Sequence, residues 1–243
     1  MASLMFPMTT NPASNLNDTW QYWRPPGSSV VELGTVHGLD VALPTHFHDE
    51  DQITFVLSGR RRFIIGEELV VVTPGQGVHI PAETPHRSLS EPSQVFCINI
   101  YTTPGSYEVC EFIFGLTRLW QNKGHIGWSD FAILADEYRR ITTASTNRIG
   151  EDHAYGEPWE TVSQAAQIAG MTREGFSRRF RRIHGVPPHT FWLLEKLNDA
   201  RRLLRTGESI AAVAAESGFS DQSHLGRCFR RVFGVTPGRY RAR

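Results

Sequence analysis

The sequence has little cysteine, no net charge and no long apolar run, and each shortfall removes a class of protein. Three cysteines in 243 residues, Cys97, Cys110 and Cys228, form an odd and scattered set. That excludes a disulfide framework, offers no paired metal-finger spacing and points to a reducing compartment. Nothing approaches the roughly 18 consecutive apolar residues of a membrane-spanning helix. The opening Met1–Pro7 has neither the basic segment nor the apolar core of a secretory leader, so a cytoplasmic protein is expected. The absence of net charge is only an average. Residues 1–157 hold 10 Lys+Arg against 18 Asp+Glu, whereas residues 158–243 hold 15 against 7. An acidic body is attached to a basic module, and a basic module favours a polyanion through counterion release.

Residues 1–27 are rich in Asn, Ser, Thr and Pro and read as a flexible arm, with Trp20, Tyr22 and Trp23 either covering a bound effector or packing on the body. Residues 28–143 form one domain. From Val30 to Tyr101 short β-rich runs such as Ile53–Leu57, Phe63–Ile65, Leu69–Val72 and Phe96–Ile100 alternate with Gly and Pro, the pattern of a small barrel or jelly roll. Residues 106–143 read as helical. Phe131, Leu134, Tyr138 and Ile141 make an apolar stripe there, preferred as a dimer seam. Arg60, Arg61 and Arg62 are expected to pair with Glu67 and Glu68 across a hairpin. The interdomain linker falls at 144–157.

The module at 158–243 repeats itself at an offset of 49 residues. Phe180–Pro188 (FRRIHGVPP) aligns with Phe229–Pro237 (FRRVFGVTP), Phe176 with Leu225, and Arg178 with Arg227. Each copy follows an alanine-rich helical pattern ending in Gly170 or Gly218, so the pattern is helix, tight turn, arginine-rich helix, written twice, at 162–183 and 210–232. Thr172, Ser209 and Ser220 are placed as caps, and Gly185 and Pro187–Pro188 end the first reading helix. A helix from about Thr190 to Arg205 joins the units; about 16 residues span roughly 24 Å, enough to set two heads about one duplex turn, roughly 34 Å, apart.

Phe176 with Phe180, and Leu225 with Phe229, lie four apart and should pack inward. Arg173, Glu174, Ser177 and Arg178 of the first unit, with Gln222, Ser223, His224 and Arg227 of the second, are then free to reach base edges. Arg pairs bidentately with guanine, Gln with adenine, and Glu174 accepts from cytosine. Arg181, Arg182, Arg230 and Arg231 come later in each helix and suit phosphates.

Residues 158–243 closely resemble the AraC/XylS family of bacterial transcription regulators, most specifically in Gly218–His224 (GFSDQSH) and Phe233–Arg241 (FGVTPGRYR). The resemblance implies a two-headed, seven-helix DNA-binding domain, promoter DNA and RNA polymerase as partners, and base contacts at the residues just named. Gly226 departs from it, a glycine where a groove-facing side chain is usual.

In Pro44–His48 (PTHFH), His46 and His48 project from one face of an extended chain, followed by Gln52 and Gly59; Pro74–Gln76 (PGQ) leads to Ile80–His86 (IPAETPH). This resembles the two motifs of the cupins, small β-barrels, which the family above commonly carries as sensors. The fold class is thus α+β in two domains: a cupin-like barrel with helices, then an all-α domain. His46, His48, Gln52 and His86 are the candidate effector contacts. Three imidazoles on one cavity also suit a divalent ion. Gln52 stands where metal-binding cupins place Glu, however, and an amide is a poor general base. No catalytic residue and no resident cofactor are expected, a divalent metal at His46, His48 and His86 being the open alternative. The expected function is a transcription activator that responds to a small-molecule effector and acts as a homodimer, the alternative being a cupin-type metal-dependent enzyme or metal sensor fused to a DNA-binding module.

Overall fold

In the computed structural model, residues 20–25, 28–140 and 161–241 are described. The linker placed at 144–157, the first nineteen residues of the arm and Ile141 of the apolar stripe lie outside them.

Among the described residues, nine strands fold into two antiparallel sheets. One, in the order β1-β2-β9-β4-β7, comprises β1 (Trp20–Trp23), β2 (Glu32–Gly38), β9 (Val95–Thr102), β4 (Asp51–Ser58) and β7 (Gly77–Ile80). The other, in the order β3-β8-β5-β6, comprises β3 (Leu43–His46), β8 (His86–Ser88), β5 (Arg61–Ile65) and β6 (Glu68–Val72). Alternation decides what each face meets. Along β4 and β9, Gln52, Thr54, Val56, Cys97, Asn99 and Tyr101 turn toward the barrel interior, while Ile53, Phe55, Leu57, Ile98 and Ile100 turn outward. The outward set is roofed by α1 (Val109–Lys123) and α2 (Trp128–Glu137) through Phe112, Leu116, Phe131 and Ala135. Both faces of β4 and β9 are therefore covered, which is why these strands read as near-continuous apolar runs.

That roof overturns the expected dimer seam. Phe131 is 1% exposed. Its ring lies tilted against Phe112 at 5.9 Å between ring centres, and Tyr138 lies 6.4 Å from the same Phe112 ring. An amphipathic stripe is equally satisfied by its own sheet, and the sheet's bare apolar face takes it here. The arm reading is corrected for its end: Trp20–Trp23 is the edge strand β1, paired with Leu33–Val36 of β2, with Trp20 and Tyr22 buried. The hairpin ion pairs are corrected too. The β5–β6 register sets Arg61 opposite Val72 and Ile65 opposite Glu68, leaving the glutamates at the far end from the arginines. Arg60 and Arg62 instead share Glu91, at 3.3 and 3.1 Å, and Arg61 turns inward.

The C-terminal module follows its sequence closely. It holds α3 (Val162–Ile168), α4 (Arg173–His184), α5 (Pro188–Arg205), α6 (Ile210–Glu216), α7 (Gln222–Phe233) and α8 (Pro237–Arg241). Thr161 caps α3 in a reciprocal box with Gln164, Thr172 caps α4 and Ser209 caps α6. Asp221, not Ser220, caps α7, because its carboxylate receives the His224 amide at 2.7 Å. The joining helix begins two residues early, at Pro188, since proline's fixed φ and missing N–H suit a first helical turn. Both reading helices end on a left-handed glycine, Gly185 (φ 71°) and Gly234 (φ 77°), so the repeat extends to the caps.

Candidate functional site: a double reading head and a histidine-lined barrel

In α4, Phe176 and Phe180 are buried; in α7, Leu225, Phe229, Val232 and Phe233 are. These anchors turn the intervening residues outward. Arg173, Glu174, Arg178, Arg181 and Arg182 are exposed and Ser177 half-buried; Gln222, Ser223, Arg227, Arg230 and Arg231 are exposed and His224 half-buried. An added side chain at Gly226 would meet open space, so α7 offers a gap in its outer face there. The α5 helix carries both units, burying Leu194, Leu197, Ala200 and Leu204 beneath them.

The barrel brings its three expected histidines together. His46, His48 and His86 are all buried, and one ring nitrogen from each lies within 4.8 Å of the others. Their Nδ1 atoms sit 2.9, 2.7 and 2.9 Å from the carbonyls of Pro44, Glu50 and Thr84 respectively. A carbonyl only accepts, so each Nδ1 carries the proton and each Nε2 lone pair is turned toward the shared interior. Burial lowers the pKa of all three, with His48 adding to the effect at His46, which falls to about 3, and Arg201 at His48. The cluster is therefore neutral at physiological pH. The Gln52 carboxamide lies 2.8 Å from His48 Nε2 and 2.8 Å from the Thr54 hydroxyl, which in turn reaches Asn99 at 2.7 Å.

A divalent ion, which the cupin fold implies, is compatible with this donor set. The His86 Nε2 is buried with no hydrogen-bond partner, a lone pair left over for an electrophile. His46, His48 and His86 would hold the ion, which when bound would supply an open coordination position. Gln52 is the neutral member where a carboxylate would add charge.

Sequence reasoning missed the contact between the two domains. Arg201 of α5 is 1% exposed yet charged. Its guanidinium pairs with Glu32 of β2 and, at 3.3 Å, with Glu50. Tyr101, Phe233, Tyr22 and Tyr240 surround it, with ring centres at 4.4, 5.2, 5.7 and 6.0 Å. Burial alone would lower the Arg201 pKa, but the two carboxylates outweigh it and raise it. Burial alone would raise that of Glu50, which Arg201 and Arg205 instead hold at about 2. Asn198 donates to the Phe47 carbonyl at 3.3 Å and Tyr22 to the Phe233 carbonyl at 3.0 Å. Glu50 thus has two roles: its carbonyl fixes His48, and its carboxylate holds Arg201 and Arg205. The available signal was an arginine at a helix position otherwise flanked by core residues Ala200 and Leu204.

Comparison with known proteins agrees with both halves. A helix-turn-helix domain family matches residues 165–243 and a cupin domain family residues 34–98. The probable transcriptional regulator LumQ of Photobacterium leiognathi is 25% identical over 236 residues, 84% of this chain and 94% of that protein. The HTH-type transcriptional regulator ExsA of Pseudomonas aeruginosa is 37% identical over 114 residues, but this spans 45% of this chain and only 40% of ExsA. The crystal structure of ToxT from Vibrio cholerae O395 superposes with a TM-score of 0.51 over 92% of this chain and 97% of that one, at 13% identity, a likeness of fold. With a duplicated helix-turn-helix behind a cupin barrel, the chain is similar to AraC-like DNA-binding transcription regulators.

Proposed function

We propose that this protein is an effector-responsive transcription activator whose barrel senses a small molecule and whose two reading helices grip one promoter duplex. The observation that carries the sensing half is Glu50, which touches the histidine cluster with its backbone and the DNA-binding domain with its carboxylate. A ligand that repositions His48 acts on the residue that holds α5, and so shifts the balance between domain arrangements by its differential affinity for them. Arg173, Glu174, Ser177, Arg178, Gln222, Ser223, His224 and Arg227 read bases, and Arg181, Arg182, Arg230 and Arg231 take phosphates. His46, His48, Gln52 and His86 form the effector pocket. Activation adds RNA polymerase as a partner in the cytoplasm. The active form is a homodimer, for which the apolar surface left on α1 and α2 is Phe114 and Ile133, 62% and 65% exposed.

The barrel is read as a sensor and not an enzyme because Gln52 supplies no base. The orphaned His86 Nε2 favours one second reading, a divalent-metal sensor. Selection of genomic fragments by the full chain tests the first: enrichment of sites with two elements about one helical turn apart supports it. Uniform recovery of all fragments overturns it. DNA affinity that changes on adding and chelating Zn, Fe or Mn supports the second reading, and indifference to all three removes it.

A further inference from the structure

Among the described residues, Arg61 is the one fully buried arginine of the barrel strands, 1% exposed. Its Nη1 donates to the Val41 carbonyl at 3.0 Å, and its Nε is buried with no partner. Among the described residues no carboxylate pairs with it, since Glu91 is taken by Arg60 and Arg62 on the strand's outer side. The contrast with Arg201 is direct: that buried guanidinium has two carboxylates, and this one has none. A buried charge without a counter-ion is costly, and its ordinary remedies are a partner anion or replacement by an apolar residue.

A second feature lies just outside. An open cleft of about 480 Å³ between the barrel and the second helix-turn-helix is lined by Asp40 and Leu43 on one side and by Arg230, Arg231 and Arg239 on the other. Trp20 forms part of its wall and also lies over Arg61, whose guanidinium carbon is 5.8 Å from the indole centre. Trp20 belongs to an edge strand whose strand neighbour is β2. A mouth rich in arginine raises the local concentration of anions, and one side chain separates it from the unpaired cation.

We propose that Arg61 is the carboxylate-binding residue of an effector site entered past Trp20, and that the effector is a small monocarboxylate with an apolar body. One guanidinium neutralises one negative charge, so a dianion would leave a buried excess. Phe63, with its ring centre 5.1 Å from the guanidinium, and Trp20 provide the apolar walls. The proposal rests on the sensor reading above and places the effector's charge away from the histidines. It also supplies a route outward. A Cβ built on Gly234 would lie 2.5 Å from the Trp20 ring, so the indole packs directly on the C-cap of α7. A ligand that displaces Trp20 removes that seat from the second reading helix.

The test uses the full chain and its Arg61→Met and Trp20→Phe variants, titrated with acetate, butyrate and hexanoate, and with malonate and inorganic phosphate, at constant ionic strength set by chloride. Thermal unfolding and DNA binding are the readouts. The expected result is a rise in melting temperature with butyrate or hexanoate that malonate and phosphate do not give. Arg61→Met should weaken that response at least tenfold while melting, without ligand, no lower than the parent, and Trp20→Phe should keep the response. No response of the parent to any monocarboxylate overturns the proposal. So does an equal response to phosphate, which would assign binding to the exposed arginines. A ligand-free Arg61→Met protein melting well below the parent also overturns it, since Arg61 would then be a structural strut. DNA binding that persists through any of these failures leaves the regulator reading standing; its absence in the parent would sink that reading instead.

Discussion

Replacing Arg201 with alanine isolates the energy of the domain contact. The substitution leaves Glu50 with Arg205 but strips Glu32, 1% exposed, of the guanidinium that pairs with it. Removing one partner of a buried ion pair costs roughly 3–5 kcal/mol, because the charge left behind is uncompensated. For a chain of this size that corresponds to a fall in melting temperature of roughly 6–20 °C, at about 2–4 °C per kcal/mol. Adding Glu32→Gln to the variant should recover most of the loss. Urea unfolding followed by tryptophan fluorescence measures both. A penalty below about 1 kcal/mol, or one that Glu32→Gln does not relieve, would mean that the contact is not held by a buried ion pair.

Glu50 gives a pH dependence. Its folded pKa of about 2 lies below the ordinary value of 4.5, so its contribution is complete above about pH 4.5 and is lost as pH falls toward 2. The stability difference between parent and Glu50→Gln should decline by about 3 kcal/mol across that window in acid denaturation. Arg178→Ala should weaken binding to a specific site by about 1–3 kcal/mol, roughly 5- to 150-fold, and relax preference at one base pair in a binding-site selection; equal loss on every sequence would make Arg178 a phosphate contact. Gly234→Ala places a methyl against Trp20 in a left-handed backbone (φ 77°) and should destabilise by about 2 kcal/mol or more. Gly226→Ala meets open space within a helix and should be neutral or stabilising by up to about 1 kcal/mol in the same unfolding assay.

What was legible in the sequence was local. Caps, left-handed glycines and the four-residue spacing of Phe176 with Phe180 and Leu225 with Phe229 act within a turn or two of helix, so α3, α4, α6 and α7 could be read to within a few residues. The convergence of His46, His48 and His86 was also readable, because the two-residue spacing of His46 and His48 sets both on one side of an extended segment and the third closes a recognisable turn. Misreadings came where two partners of similar chemistry compete for one side chain. Arg60 and Arg62 had glutamates near in sequence but chose Glu91, which the register brings closer. The Phe131 stripe suited a second copy as well as its own sheet, and the sheet is adjacent. Glu32 and Arg201 are 169 residues apart, and nothing local in either segment announces the other.

The domain contact is built to be present or absent, with little between. Its charges balance, Glu32 and Glu50 against Arg201 and Arg205, and they are enclosed by aromatic rings from both domains, Tyr22 and Tyr101 from the barrel and Phe233 and Tyr240 from the module. Partial separation would expose the ion pairs to water without freeing the rings, so intermediate positions gain neither the buried Coulomb energy nor the solvation that full separation gives. Two proposed sensing elements bear on that one contact, the His48–Glu50 turn and the Trp20 edge strand. An effector need not push the domains apart. It need only bind one arrangement better than the other, and each tenfold preference moves the balance by about 1.4 kcal/mol. The Arg201 penalty predicted above sets the scale of the work one effector site must do, and a site whose ligand discriminates less than the resting imbalance would leave promoter binding unchanged however tightly it is held.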